Sequence, residues 1–499
     1  MTSTQRHTGY DAVSIETLSL LRRPAYLPST LHVPLKGAWG ETAQAQVQVG
    51  DYVYKGQCLA SANGWVSVAV HAPTSGWVSA IESAAHSTLA TTICVDSDAK
   101  EQWGERPYIN AALADLATTR NYLQQSGVVG MNGLPIHLSL QANRWHSLLI
   151  NAVHTDPSVG IDHVVDDDAE ILVHTALHLT HLLGVKRCIL ALGEQQIVAL
   201  RQWQQAAAGT LLAIETVPNR YPNHHPRILL TKLLQKRLAP QQRLSHLGVL
   251  HLTLPTLQAI AHALWQQWPL ISRKLTISGQ VKSPGYYSVF VGTPLTALLA
   301  HHGAQTDECT VFAGSRIAGY PLSCDYSDKQ LHALAVMALP KNEAAPCIRC
   351  QRCTEVCPLQ LQPYDLYRLI SCGQYQRAQQ RQLMACIACG ACEPVCPSHL
   401  PLQQQLRHGQ QRLVLERQQQ QRIAHARRHY QQHQARCQAQ MLEKAQGLTL
   451  PITQAKQVMP LKGELEDNAA RQTRLLAAQR RAVAKRREQQ VKSRATHES

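Results

Sequence analysis

The chain has 499 residues, a formal charge of +15, fifteen cysteines and 44% hydrophobic residues. That much apolar material excludes wholesale disorder, and the length predicts roughly three domains. No run approaches the roughly 18 apolar residues of a membrane span, and the opening Met1–His7 has no apolar export core, so the cysteines are expected to stay reduced and to serve metal or redox chemistry rather than disulfides.

Residues 31–83 read as all-β. Val49-Gly50-Asp51 and His71-Ala72-Pro73-Thr74-Ser75-Gly76 mark turns between short alternating strands. The pattern resembles the barrel-sandwich module of biotinyl and lipoyl carriers. A carrier needs a lysine at an exposed hairpin tip, and residues 60–70 contain none. A structural or docking module is therefore the expectation.

From Tyr108 to about Leu270 helical and strand patterns alternate. Buried strands are expected at 146–153, 188–193 and 211–217, with a helix over Ala169–Leu183 that Gly184 ends. This order predicts an α/β domain with a parallel sheet. Its glycine cluster is Gly127-Val128-Val129-Gly130-Met131-Asn132-Gly133, a weak phosphate-loop signal when taken alone. Asp166-Asp167-Asp168 and His224-His225 read as surface groups before they read as ligands. Residues 273–326 return to β, with Leu275–Gly279 and Gly285–Val289 about a turn and a short helix opening at Pro294-Leu295.

Eight cysteines then fall in two copies of C-x2-C-x2-C-x3-C-P, at Cys347, Cys350, Cys353, Cys357 and at Cys386, Cys389, Cys392, Cys396. Three thiolates two residues apart can wrap one face of a [4Fe–4S] cubane. The fourth, turned away by its proline, ligates the other cluster. The expected sets are Cys347, Cys350, Cys353 with Cys396, and Cys386, Cys389, Cys392 with Cys357. Zinc sites usually pair C-x2-C halves across a long spacer, which explains this doubled pattern poorly. A helix is expected over 365–381 between the copies. Buried structural thiols are the default for most other cysteines, with a packing role for Cys372.

The charge is concentrated at the end. From Pro401 onward nineteen Lys and Arg face seven Asp and Glu, leaving the rest of the chain at +3. This Gln- and Arg-rich tail should be solvated helix or disorder, suited to an anionic membrane surface, an acidic partner or simply solubility. Beyond Tyr430 it has no aromatic residue to interleave with its charges and no recognisable nucleic-acid module, which argues against that partner.

In this order the parts resemble the RnfC family, peripheral members of the Rnf/Rsx ion-translocating electron-transport complex. Val49-Gly50-Asp51, Lys55-Gly56-Gln57, His71-Ala72-Pro73, Gly279, Gly292-Thr293-Pro294 and Pro346-Cys347-Ile348-Arg349-Cys350 carry the likeness. It implies a multidomain α+β and α/β chain: a barrel-sandwich domain (1–100), a domain like the flavoprotein of complex I (101–270), an SLBB-like β-grasp segment (271–340), a two-cluster ferredoxin domain (341–405) and a basic tail (406–499). It further implies FMN and NADH chemistry feeding two [4Fe–4S] clusters, membrane and peripheral partner subunits, and a peripheral place on the cytoplasmic side of a bacterial inner membrane.

The departures fall where nucleotide should bind. The usual Gly-Met-Gly-Gly loop is Gly130-Met131-Asn132-Gly133. The usual Asn-Gly-Ala-Glu-Cys-Glu-Pro is Asn151-Ala152-Val153-His154-Thr155-Asp156-Pro157, and Tyr-Pro-x-Gly-Gly-Glu is Tyr221-Pro222-Asn223-His224-His225-Pro226. Two readings stay open: a remodelled FMN/NADH site using Gly130, Gly133, Asn151 and Asp156, or a degenerate scaffold in an electron-wire and docking subunit. An iron–sulfur subunit of a different, soluble oxidoreductase is the reading from another class.

Overall fold

The computed structural model describes residues 10–11, 22–23 and 26–447, except 38, 83–90, 107, 142–143, 154–168, 240–241, 305–308, 315–316, 318, 323–332 and 339–343. Asp156, the aspartates at 166–168, Cys324 and the basic run 480–487 lie outside these residues.

The first module pairs two small antiparallel sheets. One runs Thr30–Pro34, Thr92–Ser97, Gly76–Glu82, Tyr52–Val53, and the other Gln44–Ala45, Cys58–Ser61, Val70–His71. Alternation sends Leu31, Val33, Ile93 and Val95 into a common core with Val53 and Leu59. Lys55 is no carrier lysine, because its Nζ is held 2.7 Å from Glu101 Oε1 and lies 5.4 Å from the centre of the Trp103 ring.

The second module is a four-stranded parallel sheet in the order Leu212–Val217, Arg187–Gly193, Ser147–Asn151, Val249–Thr253. Both faces are covered, which is why the middles of its two inner strands, 148–150 and 188–192, are continuously apolar. Leu148, Ile150, Leu190 and Leu192 pack with the helices Ala169–Leu183 and Leu254–Gln266, whereas Leu149, Ile189 and Ala191 pack with Pro226–Leu234. From Ser147–Asn151 the order runs outward through Arg187–Gly193 to Leu212–Val217 and then reverses to place Val249–Thr253 on its other side, so its carboxyl end is the topological switch point where such sheets bind ligands.

The histidines of this domain are not the surface groups expected. His225 is half-buried and caps Pro226–Leu234, its Nδ1 accepting from Arg227 N at 3.3 Å. Burial, then the charges of His224, Arg227 and His251, hold it down at about 3, and burial holds His251 at about 4 with its Nε2 lacking a hydrogen-bond partner. Both pKa values lie below the unfolded value near 6.5, so the folded state binds fewer protons. Their stabilising contribution is full above about pH 6.5 and is lost as pH falls toward 4 and 3. The melting temperature should therefore drop between pH 7 and pH 5, and less steeply in His251→Leu. An equal slope in the variant would remove His251 from this account.

A mixed six-stranded sheet follows, ordered Tyr320–Pro321, Cys309–Ala313, Ala333–Ala338, Ser272–Gly279, Gly285–Phe290, Arg22–Arg23. The helix Leu295–His301 joins its core through Leu295, Leu298 and Leu299 against Leu275, Ile277 and Tyr287. Next come two short helices where one was expected, Pro363–Ser371 and Tyr375–Gln380, separated at Gly373 with φ +70°. Leu402–Gly447 is one helix, and Leu406 and Leu413 in its first turns are buried with Leu366, Ile370 and Leu383. The chain divides into two compact units at Glu416, and beyond it the helix is polar with Tyr430, Met441 and Leu442 exposed.

The remaining cysteines divide. Cys94 and Cys188 are buried as expected, but Cys58 and Cys372 are exposed. Cys372 ends its helix just before the turn at Gly373, which carries it out of the packed face, so it has no packing role.

Candidate metal centres

The two cysteine runs have matching backbones 39 residues apart. Left-handed residues at Arg349, Gln351 and Gln360 recur at Ala388, Gly390 and His399. These positive-φ positions curl each run so that alternate peptide N–H groups point inward. Arg349 N donates to Cys347 Sγ at 3.3 Å and Ala388 N to Cys386 Sγ at 3.4 Å; Leu361 N reaches Cys357 Sγ at 3.4 Å. The prolines Pro358 and Pro397 then redirect the chain, and helices begin at Pro363 and Leu402, again 39 apart.

Folding brings the thiols together in two groups of four. Cys347, Cys350, Cys353 and Cys396 line a cavity of about 430 Å³ that also meets Arg349, Tyr364, Asp365 and Arg368. Cys357, Cys386, Cys389 and Cys392 line a tighter one of about 30 Å³ walled by Leu359, Leu361, Ile387 and Leu406. The runs are crossed at their ends, where Ala345 N donates to Ser398 O at 3.0 Å and Ser398 Oγ to Pro346 O at 3.0 Å. Arg349 thus stands beside the first cavity, where positive charge favours a reduced centre, while Arg352 opens a short helix and does not line it.

The donor set suits an iron–sulfur core. Burial pushes the Cys386 thiol up to about 12 and Cys389 to about 11. Cys392 is raised by burial and then by Cys386, Cys389, Glu393 and Cys357; Cys353 and Cys357 are raised chiefly by burial. Thiolates this close, away from water, need positive charge between them, and four soft sulfurs per cavity match cubane iron.

Several supporting groups are not recognisable in the sequence. Gln403 Nε2 donates to Ala388 O at 3.0 Å, and Gln410 Nε2 to Leu383 O and Cys386 O at 3.0 and 2.7 Å. Both look like members of a Gln-rich tail; their spacing of seven, two helical turns on one face, is the available signal. Glu393, its carboxyl raised by burial, accepts from Gln403 N at 3.2 Å at the start of the long helix. Tyr221 of the α/β domain, fully buried, donates its hydroxyl to the carbonyl of Cys389 and packs with Val356 and Ala391. The second cavity therefore sits against the α/β domain.

The nucleotide residues are arranged otherwise. Gly130 N donates to Leu134 O at 2.9 Å, Gly133 N to Gly130 O at 2.9 Å and Leu134 N to Asn132 Oδ1 at 3.1 Å, so the loop spends these donors on itself. A Cβ on Gly130 would meet Asn132 Oδ1 at 2.9 Å: the asparagine fills the space above the glycine. Trp39 Nε1 holds the same segment through Asn132 O at 3.2 Å. Asn151 stands at the switch point, but its Nδ2 donates to His224 O at 2.8 Å and its Oδ1 accepts from Val153 N at 3.1 Å. The named groups of Gly130, Gly133 and Asn151 are thus engaged within the protein, and Asp156, the fourth residue of that expected site, lies outside the described residues.

Two four-cysteine cavities on a ferredoxin-like repeat, set against an α/β domain, define an iron–sulfur protein of the 4Fe–4S class. Residues 20–100 match the family model of the RnfC barrel sandwich hybrid domain, residues 123–262 that of the Nuo51 FMN-binding domain, and residues 346–400 that of the 4Fe-4S dicluster domain. The chain belongs to the RnfC family of ion-translocating oxidoreductase complex subunits. The ion-translocating oxidoreductase complex protein of this family from Rhodobacter capsulatus is 32% identical over 403 residues, 76% of this chain and 77% of its own length. Its counterpart from Pasteurella multocida is 32% identical over 406 residues, 77% of this chain, which spans about half (48%) of that longer relative. An NAD+-reducing [NiFe]-hydrogenase in the air-oxidized state aligns over 56% of this chain and 54% of its own at 18% identity with a TM-score of 0.40.

Proposed function

We propose that this chain is an iron–sulfur electron-transfer subunit of a membrane-bound ion-translocating oxidoreductase complex. The pairing of two four-thiol cavities in one short repeat carries the reading. Two [4Fe–4S] clusters, held by Cys347, Cys350, Cys353, Cys396 and by Cys357, Cys386, Cys389, Cys392, would supply one-electron carriage. The protein's own residues set their surroundings: Arg349 and Arg368 place positive charge at the open first site, and aliphatic side chains keep water from the second. The partners are the membrane and peripheral subunits of an Rnf-type complex, residues 271–340 are an SLBB-like β-grasp segment, and the basic tail serves an anionic membrane surface at the cytoplasmic side.

Within this reading the α/β domain acts as a scaffold and not as a flavin site, because the loop around Gly130 and Gly133 closes on itself. Anaerobically purified chain should retain iron and acid-labile sulfide at full occupancy while releasing no stoichiometric flavin on denaturation, and NADH alone should leave the clusters oxidised. Stoichiometric FMN with NADH-dependent cluster reduction would overturn the scaffold reading. Loss of iron–sulfur absorbance in the full chain, with flavin present, would overturn the electron-transfer assignment itself.

A further inference from the structure

The outer face of the barrel-sandwich sheet carries a cluster for which electron transfer has no use. Leu31, Val33, Ile93 and Val95 point into the core, so His32 and Cys94 project from the opposite face. They are directly paired across the antiparallel strands Thr30–Pro34 and Thr92–Ser97. A register shift between Val78 and Ala80 in the third strand sets Ala80 opposite Cys94 and Glu82 opposite Thr92. Without that shift the residue facing Cys94's side of the sheet would change, since one step of register turns a side chain over.

The three side chains converge. His32 Nδ1 lies 3.3 Å from Cys94 Sγ, and the ligand atoms of His32, Glu82 and Cys94 all fall within 4.8 Å of one another. Thr92 Oγ1 donates to Glu82 Oε2 at 3.5 Å, steadying the carboxylate over the pair. Cys94 is only 3% exposed although it faces away from the core, while Glu82 opens to solvent. Among the described residues Glu82 has no Lys or Arg partner. The backbone of His32 is also fixed, its N–H donating to Gly292 O at 2.7 Å in the adjoining module.

We propose that His32, Glu82 and Cys94 form a zinc site. Imidazole, thiolate and carboxylate are the three donor types zinc takes, and a tetrahedral ion with Zn–S of about 2.3 Å and Zn–N of about 2.0 Å sets those two atoms roughly 3.5 Å apart. The fourth position faces the solvent side and takes water. Calcium and magnesium require oxygen donors and are excluded by the thiol and the ring nitrogen. A single thiol cannot hold an iron–sulfur cubane, so the site is separate in chemistry as well as position from the ferredoxin cavities. Redox-inert zinc would tie three strands together without the disulfide that a reducing compartment denies, and without drawing electrons from the clusters.

The test uses the full chain purified anaerobically with its clusters, equilibrated with micromolar zinc, passed over a desalting column and measured for iron and zinc together. The expected result is about one zinc per chain beyond full iron occupancy, with Cys94→Ser and His32→Ala losing the zinc at unchanged iron. Glu82→Gln, at an exposed position, keeps folding independent of the answer and should weaken zinc binding at least roughly tenfold. Equal zinc in wild type and Glu82→Gln, zinc that disappears with Cys350→Ser but persists in Cys94→Ser, or no retained zinc in the wild type would each overturn the proposal.

Discussion

Replacing Cys396 with serine should abolish the same cluster signal as replacing Cys350, although the two residues belong to different copies of the repeat. Cys396 faces Cys347, Cys350 and Cys353 in one cavity, and Cys357 faces Cys386, Cys389 and Cys392 in the other. The double variant Cys350→Ser/Cys396→Ser should therefore keep about four irons per chain, like either single variant, whereas Cys350→Ser/Cys357→Ser should keep almost none. Iron and sulfide content with electron paramagnetic resonance of the reduced protein distinguishes the two. If Cys350→Ser/Cys357→Ser loses only one signal, each run holds its own cluster and the crossed assignment is wrong. Both double variants remove two thiols from the same domain, so a difference between them reports ligand pairing and not general damage.

The second large effect is expected at Gly390, between Cys389 and Cys392. Its φ is +76°, and a Cβ there would come within 2.1 Å of the carbonyl oxygen of Ile317. Backbone cannot yield as a flexible side chain does. Gly390→Ala combines a left-handed penalty of about 1–2 kcal/mol with an overpacking penalty of about 1–3 kcal/mol, so about 2–5 kcal/mol is expected. Movement of the loop to relieve the clash also moves Cys389 and Cys392, so the second cluster should be lost while the first remains. Gly373→Ala is the control: φ is +70° with nothing within 4 Å of the added carbon, and only the conformational part, about 1 kcal/mol, should appear. Thermal denaturation and iron retention, compared across the two variants, separate the mechanisms. Equal behaviour would mean that the Ile317 contact does not constrain the loop.

Local patterns make much of the architecture legible. Gly184 ends Ala169–Leu183 where the apolar periodicity stops, and the runs 148–150 and 188–192 are apolar throughout because both faces of the parallel sheet are covered there, whereas the edge strand 212–217 carries Glu215 and Thr216. The break between the helices Pro363–Ser371 and Tyr375–Gln380 falls at Gly373, whose left-handed φ, and not its identity alone, divides an otherwise helical composition. His225 reads as surface because its role as a helix cap depends on where the backbone turns, and polarity alone does not show that. Gln403 and Gln410 are hidden by their neighbours in a Gln-rich stretch; their function lies in the carbonyls of Ala388 and Cys386, which the sequence keeps remote.

The fifteen cysteines and the +15 charge show where that boundary lies. Spacing by itself determined that eight thiols form two triplet-plus-one runs suited to cubane iron, because ligand reach along a chain is a local property, and counting charge placed most of the excess at the end of the chain. Tertiary structure decided the rest. The glycine loop spends its N–H groups internally, Tyr221 meets the carbonyl of Cys389 from 168 residues away, and His32 meets Cys94 from 62 residues away across a sheet. Such contacts depend on strand register and domain docking. Those follow from the burial of whole faces and cannot be read from the short-range pattern of residues.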